Sequence, residues 1–258
     1  MEDLVVFELC GPMAHFRKYY TNSSSLSYSF PPRSTMMGII AAVLGWKRDS
    51  YYEEMGLKRA SFAVSVKTPV RKIIQTVNYT RTKDSDLGKI HKGVPGTQIP
   101  MEILVPGLGH HRLVFRIYFN HVDSNILDEL EDRLQKGRSY FPLYLGISEF
   151  LATSEFVARI KKEEIIIIPP GACQPVATVC NAELLESIDN QKSEESLQYV
   201  REKAPLSFGA EREIMPSASF IYEKNQRPLW GKFRKPVYKI SCQGKEEVVV
   251  FMEAREEK

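Results

Sequence analysis

The stretch from Phe7 to Trp46 constrains the fold more than any other part of this 258-residue chain. It begins with a short apolar run and continues through a loop that contains Arg17 and Lys18 but no acidic residue. After Pro31-Pro32, a helix is predicted from about Ser34 to Leu44, because its apolar residues recur at helical spacing. The unit is therefore a strand, a basic and aromatic loop, and a helix that must pack back on a sheet.

Both predicted helices have terminal residues suited to their ends. Ser34 or Thr35 is expected to cap the first helix, and Gly45 to end it, because glycine readily adopts the left-handed conformation. A second helix is predicted after Asp123 or Ser124, with Gly137 as its end. The apolar stripe of this second helix consists of Ile126, Leu127, Leu130 and Leu134.

Four stretches have the composition of the strands of one sheet. Leu4 to Cys10 is apolar on both faces, which indicates a central strand, and Ala60 to Val77 is rich in strand-forming residues with a break at Pro69. Arg112 to Phe119 alternates clearly, and Glu155 to Ile160 follows the second helix. The order strand, helix, strand, strand, helix, strand is that of the ferredoxin-like split βαβ plan.

Residues 78–111 are rich in glycine and proline, and no regular element is predicted there. They fall between the second and third strands, so we expect them to enlarge the tip of a hairpin into a projecting arm of about 76–110, with Thr76 to Pro100 as its main part. The expected fold is α+β, with a ferredoxin-like (RRM-like) domain in 1–165 that carries this hairpin arm.

The remaining residues, 166–258, are expected to form a small C-terminal β-rich region. Within it, Asn181 to Ala204 is polar and acidic, and we expect a helix plus a loose linker. Val237 to Cys242 and Glu247 to Met252 are expected to form a hairpin that turns at Gln243-Gly244.

Basic residues cluster in two stretches although the net charge is only +3. Lys67 to Lys92 holds seven basic residues against two acidic ones, and Tyr222 to Lys245 holds seven against one. Aromatic residues are interleaved with both. Basic side chains that neutralise phosphates, beside aromatic rings that stack on unpaired nucleobases, suit single-stranded RNA. The alternative is that these lysines only solubilise exposed strands.

Several other classes of function have no support in the sequence. The four cysteines are scattered without CxxC spacing, which favours free thiols in a reducing compartment and a cytoplasmic protein. We found no phosphate-binding loop, dinucleotide motif or HExxH pair, so no cofactor and no metal is expected. No apolar run approaches the roughly 20 residues of a membrane helix, and no membrane partner is expected.

The N-terminal stretch resembles the Cas-five family of CRISPR-associated proteins, a branch of the RAMP superfamily. A later segment, Tyr144 to Ala152, resembles the Tyr-Leu-Gly segment of the same family. The resemblance covers most of residues 4–160 and weakens beyond them. The matching residues of the N-terminal stretch are Phe7, Gly11, Ala14, Phe16, Arg17, Ser27, Tyr28, Pro31, Pro32, Gly38 and Gly45.

The resemblance implies an RNA-binding subunit of a type I Cascade-like interference complex, of the I-B kind, in antiviral defence. Such a subunit caps the 5′ handle of the CRISPR RNA and contacts the backbone subunit and the large subunit, and its arm corresponds to a thumb beside the handle. The candidate RNA-binding residues are Arg17, Lys18, Tyr28, Arg33, Arg71, Lys72, Arg81, Lys83, Lys89, Lys92, Arg234 and Lys235.

The alternative function is a metal-independent endoribonuclease that processes repeat RNA. It needs a base for the 2′-hydroxyl proton, and His110 and His111 are the candidates. By resemblance, processing relatives carry a tyrosine after the first helix, where this chain has Gly45-Trp46, and a Lys-His pair where it has His110-His111. We therefore expect a protein without catalytic activity.

Overall fold

The computed structural model describes residues 2–21, 25–80, 96–189, 197–208 and 213–253. Within them the chain has few helices and many strands. The helices are α1 (Arg33–Leu44) and α2 (Ser124–Gln135). The strands are β1 (Leu4–Gly11), β2 (Phe16–Arg17), β3 (Ser27–Tyr28), β4 (Ala60–Val66), β5 (Val70–Tyr79), β6 (Thr97–Pro106), β7 (Leu113–His121), β8 (Thr153–Ile160), β9 (Ile166–Ile168), β10 (Cys173–Val176), β11 (Cys180–Asn181), β12 (Leu185–Ile188), β13 (Tyr199–Phe208), β14 (Ile214–Glu223), β15 (Leu229–Phe233), β16 (Val237–Cys242) and β17 (Lys245–Val249).

A four-stranded antiparallel sheet with the order β4-β7-β1-β8 forms the centre of the N-terminal half. The prediction that the first strand is central is confirmed, since β1 pairs on both sides. Val5, Phe7 and Leu9 belong to the same buried cluster as the apolar residues of α1 and α2, so both helices cover one face. Leu4 and Val6 face the other way, where β16 and β17 cover them. This double cover explains why β1 carries apolar residues on both faces.

The ends of the two helices agree only partly with the prediction. Gly45 ends α1 in the left-handed conformation with φ 79°, and Asp123 caps α2 by accepting a hydrogen bond from the Asn125 backbone N–H. The predicted cap of α1 is wrong. Its N-cap is Pro32, which has no side-chain acceptor, and Ser34 lies inside the first turn.

The prediction that residues 78–111 are irregular is wrong for the ends of two strands, at 78–79 and 97–106, whereas residues 107–111 contain no helix or strand. Strand β6 pairs with β5 along its whole length, from the pair Val70–Pro106 to the pair Tyr79–Thr97. Together they form a two-stranded ribbon between β4 and β7 in the chain. Pro100 is tolerated within β6 because a proline can lie in a strand where its missing N–H faces away from the partner. The outer edge of β6 is bound by the N-terminal loop, where Ala14 and Leu104 exchange backbone hydrogen bonds of 3.0 and 2.8 Å.

The described residues beyond β8 form strands in a six-stranded and a three-stranded sheet. The expected helix between Asn181 and Ala204 is wrong, because β11, β12 and the start of β13 occupy the described part of that stretch. The predicted turn is confirmed, since Gln243 and Gly244 have φ of 52° and 73° between β16 and β17.

One edge of the central sheet is covered by the C-terminal part of the chain. The Val179 and Met252 backbone N–H groups donate to the β4 carbonyls of Val64 and Phe62, at 2.8 and 2.9 Å, and so cover the outer edge of the central sheet. The four cysteines are free thiols, as predicted. Neither α1 nor α2 has the length and apolar character needed to cross a membrane.

Candidate nucleic-acid interface

An open pocket of about 640 Å³ lies where several segments of the N-terminal half meet Phe208, the last residue of β13. One wall comes from the N-terminal loop and the first turn of α1, and another from the far end of the β5–β6 ribbon. The lining residues are His15, Phe16, Arg17, Ser25, Ser34, Thr35, Tyr51, Tyr52, Tyr79, Ile99, Gly146, Ile147 and Phe208. We call this the ribbon pocket.

Arg17 is the cation of the ribbon pocket. In the short β2–β3 pair, Phe16 is buried in the core and Arg17 points outward, because successive side chains of a strand face opposite sides. Its guanidinium makes one long hydrogen bond, 3.4 Å from Nη2 to the Thr21 carbonyl, and forms no ion pair with another described residue. Arg17 therefore keeps its charge and most of its donors available for an anion.

The first turn of α1 adds a second source of positive potential. It contains no acidic residue, and Pro32 provides no side-chain cap. The partial positive charge of a helix N-terminus is therefore not compensated there. Ser34 and Thr35 place two half-buried hydroxyl groups beside it in the pocket wall. An anion such as a phosphate suits this side of the pocket.

His15 is a fixed polar wall of the pocket. Its Nδ1 donates to the Glu102 carbonyl at 2.7 Å, and its Nε2 then accepts from the Ser25 hydroxyl at 2.8 Å. Burial lowers the pKa of His15 below its usual value, and the nearby Arg17 lowers it further. The imidazole is thus neutral near pH 7 and holds Ser25 in one orientation.

Besides the buried Phe16, four aromatic rings line the pocket. The ring centroids of Tyr51 and Tyr52 are 5.0 Å apart, and Tyr52 meets Phe208 edge to face at 6.0 Å. Tyr79 contributes a partly exposed ring from the end of β5. Such surfaces accept the flat face of an unpaired base.

Gly146 makes the close approach of two pocket walls possible. Its φ is 96°, a left-handed conformation, and a Cβ at this position would overlap the carbonyl oxygen of His15. The sequence comparison singled out the segment that contains Gly146 but did not assign it a role.

Lys18 and Lys72, two predicted RNA-binding residues, are engaged by acidic groups. Lys18 Nζ lies 3.1 Å from the Glu202 carboxylate, and Lys72 Nζ lies 3.4 Å from Glu202 and 3.2 Å from Glu102. Although burial alone acts in the opposite direction, Glu202 raises the pKa of Lys18 above its usual value. These two lysines join the N-terminal loop and the ribbon to β13.

Tyr28 and Arg33, two of the candidate RNA-binding residues, are both buried. The Tyr28 hydroxyl donates to the Lys203 carbonyl at 2.8 Å, so this ring packs in the core. Arg33 has no exposed surface. Its guanidinium is ion-paired with Glu253 and donates to backbone carbonyls, those of Met55, Ala60 and Leu206, at 2.8, 3.0 and 3.0 Å.

Of the other predicted RNA-binding residues, the three that the structure describes do not line the ribbon pocket. Arg71 is exposed on β5, where its Nε lies 3.4 Å from the Pro106 carbonyl. Arg234 and Lys235 are exposed in the turn between β15 and β16. The four arm residues Arg81, Lys83, Lys89 and Lys92 lie outside the residues that the structure describes.

His110 and His111, the candidates for a catalytic base, are exposed in the turn between β6 and β7. The His110 backbone N–H donates to the Gly107 carbonyl at 3.1 Å. Neither imidazole lines the ribbon pocket or forms a hydrogen bond with another described side chain, so nothing in the described part fixes either tautomer.

Sequence reasoning missed most of the ribbon pocket. Tyr51, Tyr52 and Phe208 gave no signal, because they lie in a polar connection and at the end of a distant strand. Ser34 and Thr35 were noticed only as caps. The absence of acidic residues around Arg17 was the signal that pointed to the right loop.

Part of the chain, and its fold, are similar to those of known CRISPR-associated proteins. Residues 4–100 match the Cas_Cas5d family model, described as "CRISPR-associated protein (Cas_Cas5)". A crystal structure of a CRISPR protein from Archaeoglobus fulgidus is similar in fold, with a TM-score of 0.60 at 11% identity over 97% of this chain and 100% of that one. A chain from a CRISPR RNA-guided surveillance complex matches at a TM-score of 0.48 and 16% identity, over 89% and 91%. No curated protein sequence matches this chain.

Proposed function

We propose that the protein is an RNA-binding subunit of a type I CRISPR interference complex, on the premise that residues 4–100 match the Cas_Cas5 family of CRISPR-associated proteins. In this proposal it caps the 5′ handle of the CRISPR RNA beside the backbone and large subunits. The observation that carries the proposal is the ribbon pocket, which combines an available guanidinium, an uncompensated helix N-terminus and aromatic rings.

The chemistry of the ribbon pocket matches a single-stranded nucleotide better than a small apolar ligand. Arg17 and the first turn of α1 provide donors and positive potential for a phosphate. Tyr52 and Phe208 offer apolar surface for a base that is not held in a duplex. The pocket is open to solvent, so a nucleotide that belongs to a longer chain can reach it.

The fold supports the same proposal. The sheet order β4-β7-β1-β8 with two helices on one face corresponds to the ferredoxin-like plan, in which the first strand lies between the third and fourth. We assign residues 1–165 to such a domain and the β5–β6 ribbon to its thumb. In this assignment the far end of the thumb, at Tyr79 and Ile99, forms one wall of the RNA site.

The test is a salt titration of the affinity for single-stranded handle RNA. Replacing Arg17 with Ala removes one phosphate contact, so we expect weaker binding and a slope of log K against log salt that is flatter by roughly 0.7. The matched control is Lys136→Ala, which removes an exposed charge at the end of α2, far along the chain from the pocket. Equal affinities and slopes for the two variants would rule out the ribbon pocket as the RNA site.

A second arm of the test addresses stacking. Tyr52→Leu keeps the apolar volume but removes the ring, and loss of one stacking contact corresponds to about 1–3 kcal/mol. We expect this variant to weaken binding without changing the salt slope, because no charge is lost. Base stacking in the ribbon pocket would be excluded by two results together. The wild type would bind an RNA with one abasic site as tightly as intact RNA, and Tyr52→Leu would bind intact RNA normally.

A further inference from the structure

A group of large apolar side chains is exposed on the segment that follows α2. Tyr140 is 64% exposed, Phe141 44%, Tyr144 45% and Leu151 63%. Tyr144 and Leu151 are paired by a β-bridge, and the ring centroids of Tyr140 and Phe141 are 4.9 Å apart. Three residues of chain span at most about 11 Å, so Phe141 and Tyr144, both exposed, lie within that distance of each other. We call these four residues the aromatic surface.

The aromatic surface is held rigidly by the body of the protein. The backbone N–H groups of Tyr140 and Phe141 donate to the last-turn carbonyls of α1, those of Val43 and Ala42, at 3.3 and 3.0 Å. The Tyr140 ring packs on Gly45, where a Cβ would lie 2.7 Å from the ring. A surface ordered in advance loses little conformational entropy when a partner binds.

The charges around the aromatic surface have opposite signs at its two ends. Arg138 and Lys47 are exposed beside the Tyr140–Gly45 contact, and neither forms an ion pair with another described residue. Glu149 is exposed beside Leu151, and among described residues it accepts only the Ser148 hydroxyl, at 3.1 Å. A partner that matches this surface must carry both signs of charge.

This pattern favours a protein over RNA. A phosphate chain that follows Arg138 across the surface would be repelled by Glu149 at the other end. Leu151 offers no ring face on which a base can stack. Exposed Tyr and Phe beside Arg are instead the residues that are enriched at the centres of protein interfaces.

We propose that the aromatic surface is the docking site of another protein subunit. The contact face of that subunit presents apolar side chains flanked by a carboxylate opposite Arg138 and a basic group opposite Glu149. The inference rests on the proposed function for the existence of other subunits, but the surface shares no residue with the ribbon pocket.

The experiment measures binding of the purified chain to the purified backbone and large subunits of its complex, without RNA. We expect Tyr140→Ser/Leu151→Ser to weaken binding at least tenfold. Because Tyr140 also packs on Gly45, Arg138→Glu serves as a second variant that leaves the packing intact, and it should weaken binding several-fold. The matched control is Ile167→Ser on β9, where a large apolar side chain is 59% exposed, and it should bind normally.

Handle-RNA affinity, measured in parallel, separates this inference from the proposed function. All of these variants should bind RNA like the wild type. Suppose that the wild type binds RNA. If both surface variants then bind the subunits normally, or if the wild type binds no subunit, the docking site alone is overturned. Loss of RNA binding in the variants would make the surface an RNA contact, and a wild-type dimer that the variants disperse would make the occupant a second copy. Absence of wild-type RNA binding overturns the proposed function instead.

Discussion

The ammonium group of Lys18 lies 3.1 Å from the carboxylate of Glu202, a residue that is almost fully buried in β13. The same carboxylate accepts the Ser29 backbone N–H at 2.9 Å and Lys72 at 3.4 Å. Glu202 therefore ties the N-terminal loop and the ribbon to the C-terminal part of the chain. Two cations that the sequence assigns to RNA are committed to the fold.

The first prediction separates Lys18 from its neighbour Arg17. We expect Lys18→Ala to lower the free energy of unfolding by about 1–3 kcal/mol, because Glu202 loses a charged partner. Since Lys18 already has a counter-charge, the slope of RNA affinity against salt should stay unchanged, in contrast to Arg17→Ala. Urea unfolding and the salt titration check the two effects. A flatter slope in Lys18→Ala at unchanged stability would assign Lys18 to RNA after all.

The second prediction concerns Gly146. Replacing it with Ala forces a Cβ into the carbonyl of His15 at a backbone angle that L-residues avoid, so we expect a loss of roughly 1–3 kcal/mol and weaker RNA binding. Gly171→Ala is the control, because Gly171 has a similar φ of 89° but open space around its Cβ position. Equal melting temperatures for the two variants would show that strain alone, and not the close approach, limits position 146.

The third prediction is a pH dependence that comes from His15. Burial lowers its folded-state pKa, so the unfolded chain binds the proton more readily, and stability is lost as the pH falls through and below the usual value of 6.5. His15→Gln keeps polar groups at the site but does not titrate. Its unfolding free energy should therefore fall less between pH 7 and 5.5 than that of the wild type. Parallel profiles for the two proteins would contradict a neutral buried imidazole.

The elements decided by local patterns could be predicted from the sequence. The buried run of β1, the apolar stripe of α2 and the turn at Gln243-Gly244 each depend on neighbouring residues. The pairing of β6 could not be predicted in this way, because Pro100 and the surrounding glycines conceal a strand whose partners are the distant β5 and the N-terminal loop.

The candidate site could be predicted only at Arg17. Its other walls come from segments that meet through long-range contacts, and no local pattern marks Tyr52 or Phe208 as neighbours. Arg33 was predicted to contact RNA for the same reason. A basic residue after two prolines has the local sequence of a surface residue. Its buried partner, Glu253, lies near the other end of the chain, so no local pattern reveals the pair.

The fourth prediction concerns the alternative function. A base that takes the 2′-hydroxyl proton must be oriented, and the described residues provide no hydrogen bond that orients His110 or His111. We therefore expect repeat RNA incubated with the purified protein in EDTA to remain intact on a denaturing gel. Cleavage that disappears in His110→Ala or His111→Ala would reverse this conclusion and identify the base.

The fifth prediction tests whether Arg33 is structural. Its guanidinium and the Glu253 carboxylate are both buried, and the carboxylate also accepts the Phe62 backbone N–H at 3.1 Å. Arg33→Met leaves Glu253 as an unpaired buried charge, so we expect a loss of about 3–5 kcal/mol. Arg33→Met/Glu253→Gln should recover part of that loss, because the charge is removed. Arg48→Ala, in an exposed pair with Asp49, should change stability by less than about 1 kcal/mol.

Urea denaturation of the four proteins, wild type and three variants, measures these differences. If Arg33 were instead a contact for RNA, Arg33→Met would weaken RNA binding while its unfolding midpoint stayed close to that of Arg48→Ala. Arg33 would be a core residue without an RNA contact if two results were obtained. Arg33→Met would lose much stability, and Glu253→Gln would partly reverse that loss. The fraction of Arg33→Met that remains folded would bind RNA with normal affinity. In that case the Arg33–Glu253 pair holds residues 250–253 against the start of α1 and against β4.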